Sequence, residues 1–324
     1  MKTIALDAMG GDFAPRTSVE AAVRAAQTGE YRVILVGDQT QLEVELKTHR
    51  YTEDAIRIHH TTEWIEMGEH PVEALRRKRH ASVRVALDLV ATGEADSAVS
   101  AGHSGAMMVA GKMALKTLPG IDRPAIATPL PHKKGFSLLL DSGANVDCKP
   151  QFLLQFAEMG VEYAKKVLGI TNPRVGLLSN GTEPGKGNDL TRQALELLES
   201  SPMHCIGYLE PKDLFRAKAD VIVCDGFVGN MVLKTAEATS KEIRFLLRES
   251  SFRGLSAWIG FRLLRGFFLD LAQRTDYREI GGSILLGLRG SAVVCHGASN
   301  AHAIYNGIRL AAREWDKGQG SQNT

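Results

Sequence analysis

Residues 175–189 read VGLLSNGTEPGKGND, and this stretch decides the predicted fold class. It begins as a short apolar run, bounded in the way that is typical of a buried strand. A loop with three glycines and Lys186 follows, and Asp189 is placed to cap a helix predicted over 190–199. A strand, a glycine-rich loop and a helix in this order are the building unit of an α/β fold.

The loop in this stretch has the chemistry of an anion site. Glycines let the backbone approach a ligand and turn several N–H groups in one direction. The helix N-terminus adds a partial positive charge and Lys186 adds a full one. The loop therefore predicts a site for a phosphate-like anion, with an ordinary exposed turn as the alternative.

The loop does not match the known nucleotide-binding patterns. Gly187 stands where a Walker A loop needs a Ser or Thr for magnesium, and the spacing from Gly181 is one residue short. Leu190 stands where the third glycine of a Rossmann fingerprint belongs. An ATPase, a kinase and a Rossmann dehydrogenase are therefore disfavoured.

The same order of elements recurs along most of the chain. Apolar runs that predict strands alternate with amphipathic helical patterns, which favours a parallel sheet with helices on both faces. The predicted strands cover residues 3–6, 32–36, 56–59, 97–100, 126–129, 136–140, 175–178, 205–208, 221–224 and 292–295.

Six of these strands are followed by polar, glycine-bearing loops. Ligands bind beyond the carboxyl ends of parallel strands, so we expect the six loops to share one edge of the sheet. The side chains gathered there would be Asp7, Gly10, Gly11, His103, Ser104, Asp141, Asn145, Lys186, Asn188, Asp225, Asn230, His296, Ser299 and Asn300. Such donors suit the binding of an anion and the stabilisation of an oxyanion, and no metal-ligand spacing accompanies them.

Composition narrows the class of protein. The chain has 324 residues, 44% hydrophobic and 23% charged, with a net charge of +2, so no bulk field recruits nucleic acid. The four cysteines lie far apart, which fits a reducing cytosol and argues against a zinc site or disulfides. We expect no signal peptide and no membrane span.

Two segments predict contacts with partners. The basic run consists of Arg76, Arg77, Lys78 and Arg79. It is either a solvated helix face or a basic surface that binds an acidic partner or a phosphate. Residues 250–274 are rich in large apolar side chains interrupted by arginines. This pattern suits a helix or helical hairpin in the interface of an anionic membrane or, equally, a helix pair in a dimer contact or in the core. The residues singled out there are Trp258, Arg262, Leu264 and Arg265. Residues 318–324 are predicted to be a disordered tail.

Seven blocks of the sequence together resemble the phosphate acyltransferase (PlsX) family of bacterial phospholipid synthesis. They read ALDAMGGDFAP at 5–15, LRRK at 75–78, SAGHSGA at 100–106, and further blocks at 140–150, 175–189, 224–234 and 281–299. Ser142 and Ser283 depart from the family pattern, which has a branched apolar residue and an alanine there.

The resemblance implies a single domain over 1–317, a three-layer α/β/α sandwich similar to isopropylmalate dehydrogenase and phosphotransacetylase. It implies a homodimer that is cytoplasmic and peripherally attached to an anionic membrane surface. The implied reaction moves a long acyl chain from acyl carrier protein to inorganic phosphate. The acyl phosphate would feed an acyl-phosphate:glycerol-3-phosphate acyltransferase, and no cofactor, metal or nucleic acid is expected.

The resemblance and the loop chemistry together assign roles as hypotheses. Lys186 would hold phosphate or the oxyanion, and His103, with Ser104 at a helix start, would bind phosphate or shuttle a proton. Asn188 and Asn230 would donate hydrogen bonds and Asp225 would orient a neighbour. The remaining substrate-binding candidates are Asp7, Gly10, Gly11, His296 and Ser299.

The basic run at 76–79 would dock acyl carrier protein, with Arg253, Arg262 and Arg265 as rivals. Three other classes of protein remain as alternatives: a coenzyme A-dependent phosphotransacetylase, a nicotinamide-dependent hydroxy-acid dehydrogenase and a non-enzymatic membrane scaffold.

Overall fold

Eleven strands and nine helices make up the described part of the chain in this computed structural model, which covers residues 1–132, 134–183, 185–250, 262–264, 266–267, 279 and 281–318. The strands are β1 (Lys2–Asp7), β2 (Tyr31–Gly37), β3 (Ile56–His60), β4 (Ser97–Ser100), β5 (Ala125–His132), β6 (Gly135–Leu140), β7 (Arg174–Leu178), β8 (His204–Leu209), β9 (Val221–Val223), β10 (Ser283–Leu286) and β11 (Ser291–Val294). The helices are α1 (Arg16–Gln27), α2 (Gln39–Leu46), α3 (Pro71–Arg77), α4 (Ser82–Ala91), α5 (Ser104–Ala114), α6 (Pro150–Lys166), α7 (Asp189–Glu199), α8 (Gly226–Ser250) and α9 (Ala301–Gly318).

All eleven strands form one sheet in the order β3-β2-β1-β4-β11-β10-β5-β6-β9-β7-β8. The first half of the sheet, β3 to β11 in this order, is parallel throughout. The second half, β6 to β8 in this order, is also parallel throughout. Between the halves, β10 is antiparallel to both β11 and β5, and β5 is antiparallel to β6.

The sheet is therefore mixed, and the expectation that the six loops share one edge is wrong. The β5–β6 hairpin reverses the chain, so the two halves run in opposite directions. A two-residue connection cannot carry a parallel crossover, which needs a dozen residues or more. The loops consequently fall into two groups, one for each half.

The strand register places the two groups of loops close to each other. Val294, the last residue of β11, is level with Ser283, and the next residue of β10, Ile284, pairs with Ala127. On the other side of β5, Thr128 pairs with Leu139, one residue before the end of β6. Strands of both halves thus end at almost the same level, so both groups of loops begin near the middle of the sheet.

Helices cover both faces of the sheet and make three layers. Along β1, Ile4 and Leu6 belong to a core that includes α1, α6, α7 and α9, whereas Ala5 belongs to the opposite core with α4 and α5. On that second face, Val228 and Val232 of α8 pack with Leu139 in a third cluster. This alternation gives the α/β/α sandwich that was predicted.

Ser142 and Ser283, the two departures from the family pattern, belong to one chain of hydrogen-bonded hydroxyl groups, in which Ser142 is buried and Ser283 is half-buried. The Thr128 Oγ1 atom is 2.6 Å from the Ser142 Oγ and 2.7 Å from the Ser283 Oγ. The Ser142 hydroxyl also donates to the Ile126 carbonyl oxygen at 3.0 Å. The polar substitutions are therefore accommodated together, between β6, β5 and β10.

The structure corrects one helix cap and leaves some predictions untested. The side chain of Asn188, rather than Asp189, caps α7 by accepting a hydrogen bond from the Thr191 N–H at 2.9 Å. Arg253, Trp258, Arg265 and most of 250–274 lie outside the described residues, as does the tail 319–324. Within the described residues, no helix has both the length and the apolar character needed to cross a bilayer.

Candidate active site

The three central loops of the first half form one contiguous surface. The Cys295 N–H donates to the Ser100 carbonyl oxygen at 2.8 Å, and the Asp12 N–H donates to the Gly297 carbonyl oxygen at 2.9 Å. At Gly10, a Cβ atom would lie 2.8 Å from the Gly102 nitrogen. Only glycine permits this approach, which explains why the loops after β1 and β4 meet there.

Asp7 lies beneath these loops, not on their surface. It is 2% exposed, and its Oδ2 atom accepts a hydrogen bond from the Ser100 hydroxyl at 2.6 Å. Burial raises the pKa of the Asp7 carboxyl, while the hydrogen bonds from Ser100 and from the Met9 N–H counteract that rise. Asp7 therefore supports the glycine loops from within and has no surface to offer a substrate.

His103 is the N-cap of α5, and this role determines its tautomer. Its Nδ1 atom accepts hydrogen bonds from the N–H groups of Gly105, at 3.1 Å, and Ala106, at 3.4 Å. An Nδ1 that accepts carries no proton, so in the neutral ring the proton is on Nε2. His103 is half-buried and presents an N–H donor, which favours anion binding over a proton shuttle; Ser104 beside it is exposed.

The His296 ring, like that of His103, accepts a hydrogen bond from a backbone N–H group two residues further along the chain. Its Nδ1 accepts a hydrogen bond from the Ala298 N–H at 3.0 Å, and its Nε2 lies 2.6 Å from the Lys234 Nζ. Burial, followed by the nearby Lys234 charge, lowers the pKa of the His296 imidazole. Ser299 is 3% exposed, and its N–H donates to the His296 carbonyl oxygen, so Ser299 shapes this loop from inside.

The second half contributes the loops after β6 and β9. Asp141 is completely buried, and its carboxylate accepts hydrogen bonds from Ile126, Gly143, Ala144 and twice from Asn145.

The Asp141 loop is joined to the start of α8. The Gly226 N–H donates to the Asn145 carbonyl oxygen at 2.7 Å, and Asp225 accepts from the Val228 N–H at 2.8 Å. Asn230 is exposed beside Gly143, where a Cβ would lie 3.5 Å from the Asn230 Cβ. Asp225 therefore anchors α8 and Asn230 is available to a ligand.

Lys186 lies in the loop after β7, next to the Asp225 loop because β7 pairs with β9. Lys186 is exposed, and its side-chain stem passes over Gly181, where a Cβ would be 2.9 Å from the Lys186 Cγ. The Gly187 N–H donates to the Asn180 Oδ1 at 2.9 Å, and Asn188 uses its side-chain oxygen to cap α7. The contacts described for this loop are local, and none of them joins it to the first half.

Helix α8 connects the two groups of loops. It begins at the Asp225 loop, packs Val228 and Val232 over β6, and brings Lys234 to the His296 loop of the first half. The eight residue steps from Gly226 to Lys234 span about 12 Å of helix. Helix α8 thus joins the Asp225 loop to the His296 loop, although the two loops do not share a sheet edge.

Lys234 and Glu237 were missed as functional candidates from the sequence. With Asn230 and Lys241 they stand at positions i, i+4, i+7 and i+11, which places all four on one face of α8. The Lys234 Nζ lies 3.1 Å from the Glu237 Oε2. The spacing of these four polar residues could have been recognised in the sequence, because it begins at Asn230, which was already a candidate.

Comparisons with known proteins identify the family to which the chain belongs. The model of a family described as "Fatty acid synthesis protein" matches residues 2–320. A phosphate acyltransferase of Syntrophotalea carbinolica is 49% identical over 308 residues, covering 95% of this chain and 89% of the relative. A second, of Geobacter sulfurreducens, is 47% identical over 315 residues, covering 97% and 91%. The chain belongs to the phosphate acyltransferase family.

The fold agrees with that membership. A phosphotransacetylase from Streptococcus pyogenes is similar in structure, with a TM-score of 0.62, 20% sequence identity and coverage of 97% of this chain and 94% of that one. The sandwich predicted from the sequence is therefore confirmed, and the chain is an acyltransferase of a family linked to fatty acid synthesis.

The basic run of this phosphate acyltransferase divides into two parts. The Lys78 Nζ donates to the Trp64 carbonyl oxygen at 2.8 Å and pairs with Glu69, and the hydrogen bond from Lys78 lowers the pKa of the Glu69 carboxyl. Lys78 therefore holds its own loop together. The exposed cations of the run are Arg76, Arg77 and Arg79.

The cysteines are poor nucleophiles for acyl transfer. All four are free thiols, and burial raises the pKa of Cys148 and of Cys295 to about 12. Cys224 is buried too, and burial likewise raises the pKa of its thiol. A thiolate is the reactive form of cysteine, so these residues do not favour an acyl-cysteine intermediate. Among the described residues, no group of three or more His, Cys, Asp or Glu side chains could hold a metal ion.

Proposed function

We propose that this chain transfers a long acyl group from the thioester of acyl carrier protein to inorganic phosphate and releases an acyl phosphate. The observation that carries the proposal is that α8 carries Asn230 and Lys234 and joins the Asp225 and His296 loops, while the cysteines offer no reactive thiol. Asn230 and Lys234 lie on α8, and His103 lies at the start of α5 in the loop that follows β4. Such a set binds oxyanions and does not itself attack a carbonyl.

In the proposed reaction, a phosphate oxygen attacks the thioester carbonyl carbon and forms a tetrahedral oxyanion. The C–S bond then breaks, and the proton of hydrogen phosphate ends on the departing thiolate. Because a thiol has a pKa of about 8.5, it leaves without a strong general acid. The protein has to position phosphate and stabilise charge, and Lys186, His103 and Asn230 are proposed to do so.

The proposed donor is acyl carrier protein because an exposed cationic surface is available. Arg76, Arg77 and Arg79 are exposed on or beside α3, and acyl carrier protein is acidic. A coenzyme A thioester is the alternative donor. The proposed consumer of the acyl phosphate is an acyl-phosphate:glycerol-3-phosphate acyltransferase.

The decisive experiment measures acyl phosphate by mass spectrometry, with acyl carrier thioester and phosphate as substrates and acyl-coenzyme A in a parallel assay. Lys186→Ala should lower the rate by about 100-fold, since it removes a charge-stabilising donor. Lys47→Ala is the matched control, because Lys47 is also exposed but lies at the end of α2. If neither thioester gives acyl phosphate, the proposed reaction is rejected. If acyl-coenzyme A is turned over faster than the acyl carrier thioester, acyl carrier protein is rejected as the donor. If Lys186→Ala keeps the wild-type rate, the proposed role of Lys186 is rejected.

The proposed location is the cytoplasmic face of an anionic membrane, with the protein as a homodimer. Large apolar side chains are exposed near the end of α8 and beyond it, among them Phe245, at 61%, and Leu264, at 53%. Replacing such an apolar side chain with a charged one weakens binding to the membrane interface. Leu264→Glu should therefore reduce co-sedimentation with anionic vesicles without changing the mass measured by light scattering. Val44→Glu is the control, since Val44 is equally exposed on α2, and equal sedimentation of the two variants would reject the membrane role of Leu264.

A further inference from the structure

Met67 is an exposed apolar side chain that reaches the glycine loops of the first half. It lies in the connection between β3 and α3 and is 52% exposed. A Cβ atom on Gly297 would lie 3.3 Å from the Met67 Cε and 3.5 Å from the Asp12 Oδ1, so Met67 stands where the loops after β1 and β11 meet. Single exposed apolar side chains are ordinary on a protein surface, and what distinguishes Met67 is its place and the way it is held.

The same connection ends beside His103. A Cβ atom on Gly105 would lie 3.1 Å from both the Pro71 Cγ and the His103 Cε1, and Pro71 is the first residue of α3. The four residue steps from Met67 to Pro71 cover at most about 14 Å. Residues 67–71 therefore extend from the loop after β11 to the imidazole of His103 and form one side of the candidate site.

Lys78 holds this connection in place. Its Nζ donates to the Trp64 carbonyl oxygen at 2.8 Å and to the carboxylate of Glu69. Ile65 is buried in the core on the side of α4 and α5. Met67 is therefore exposed on a segment that is fixed before it, through Trp64 and Ile65, and after it, through Glu69.

The charges of this connection favour an uncharged group beside Met67. Glu66 is exposed, so a phosphate next to Met67 would lie near the carboxylate of the adjacent residue. The Lys78 ammonium is paired with Glu69 and is not a free cation for a phosphate. An acyl chain at the same place would meet an apolar thioether side chain and lose nothing to this negative charge.

We propose that Met67 is a specificity-determining residue that packs against the acyl chain of the thioester, and that Lys78 is the positioning residue that holds it there. The proposal rests on the proposed function for the identity of the substrate. It adds a contact through which the enzyme distinguishes a long acyl chain from a short one. Methionine suits this contact because its unbranched, flexible side chain adapts to the shape of its partner.

The preference for a dodecanoyl over an acetyl thioester tests this contact, measured as the ratio of their kcat/KM values. Both groups are carried by acyl carrier protein, so an effect on carrier docking cancels in the ratio. Met67→Ser should lower the ratio about 5-fold, because contact with about one or two methylene groups of the long chain is lost. Met67→Leu should keep the ratio, since it keeps an apolar side chain of similar size. Neither variant should change the KM for phosphate.

Lys78→Met should lower the same ratio about as much as Met67→Ser. Lys78→Arg should restore most of it, because a guanidinium can still donate to the Trp64 carbonyl oxygen and the Glu69 carboxylate. A merely structural role of Lys78 would lower the rates with both thioesters together and leave their ratio unchanged. An unchanged ratio in Lys78→Met therefore overturns its positioning role.

Met113→Ser is the matched control, because Met113 is also exposed but lies at the far end of α5 from His103. It should keep the wild-type ratio. A ratio within twofold of wild type in Met67→Ser overturns the proposed contact, and so does an equal fall in Met113→Ser.

Titration calorimetry with dodecanoate tests the same contact without turnover, and binding should be about 5-fold weaker in Met67→Ser than in the wild type. If binding weakens in this way but no acyl phosphate forms from any thioester, the proposed function is rejected and the contact is kept. If acyl phosphate forms with an unchanged ratio, the contact is rejected and the proposed function is kept.

Discussion

His103 offers a test in which stability and activity respond differently to two substitutions. Its Nδ1 caps α5 through Gly105 and Ala106, which leaves the proton of the neutral ring on Nε2 as a donor. In His103→Asn, the amide oxygen can take over the cap, because Asn is among the best N-cap residues. In His103→Ala both the cap and the donor are lost. The two variants thus differ in the cap and share the loss of the Nε2 donor.

The expected magnitudes follow from those two roles. Loss of an N-cap costs about 1 kcal/mol, which corresponds to a Tm lower by about 2–4 °C in a chain of this size. His103→Asn should therefore keep the wild-type Tm, and His103→Ala should melt about 2–4 °C lower. Loss of a donor to a developing oxyanion costs about 100- to 1,000-fold in kcat, and both variants should show this loss equally.

The assay pairs a thermal melt with the initial rate of acyl phosphate formation. Asp38→Ala is the control, since the Asp38 side chain caps α2 by accepting from the Gln41 N–H at 2.9 Å. It should melt lower and keep its activity. Wild-type activity in His103→Asn would refute the donor role, and an equally low Tm in both His103 variants would refute the assignment of the cap.

Two further predictions concern the loops and the acid stability. Gly10→Ala should destabilise the protein by about 1–3 kcal/mol, because its Cβ would lie 2.6 Å from the Asp7 Oδ2 and 2.8 Å from the Gly102 nitrogen. Gly68→Ala, where a Cβ meets nothing within 4 Å, should be neutral in the same urea titration. Burial acts to raise the pKa of Asp220, but hydrogen bonds from the Arg174 guanidinium and N–H outweigh it and lower that pKa. This stabilisation is present above the unfolded-state pKa of about 3.9 and is lost as the pH falls through the lower folded-state value. Asp220→Asn should unfold more easily at neutral pH and show a smaller loss of stability on acidification, which urea titrations at several pH values would measure; equal pH slopes would contradict it.

Much of the fold could be read from local pattern. The predicted strand at 97–100 coincides with β4, and the strand at 3–6 lies within β1. Apolar alternation and helix signals act over a few residues, so they are visible in the sequence. Strand β10 was not predicted; it lies between two antiparallel neighbours, β11 and β5, that only the folded chain supplies.

The antiparallel pairing of β5 and β6 could also have been predicted from the sequence. Two predicted strands, 126–129 and 136–140, stand too close in sequence for a parallel crossover, and they form the β5–β6 hairpin. The error in the prediction was to place all six loops on one edge of the sheet. What joins the Asp225 and His296 loops is α8, whose contact with His296 links residues 62 positions apart.

The sequence by itself determined the alternation of strands and helices, the glycine loops and the family, because these depend on local periodicity and on blocks of identical residues. Only the tertiary structure decided that Asp7 is buried, that His103 and Asn188 use their side chains as caps, and that Lys234 meets His296. Those facts depend on burial and on hydrogen bonds between specific atoms, which a linear pattern does not contain. The sequence of these loops therefore predicts an anion site, but only the tertiary structure shows which of their polar side chains are exposed.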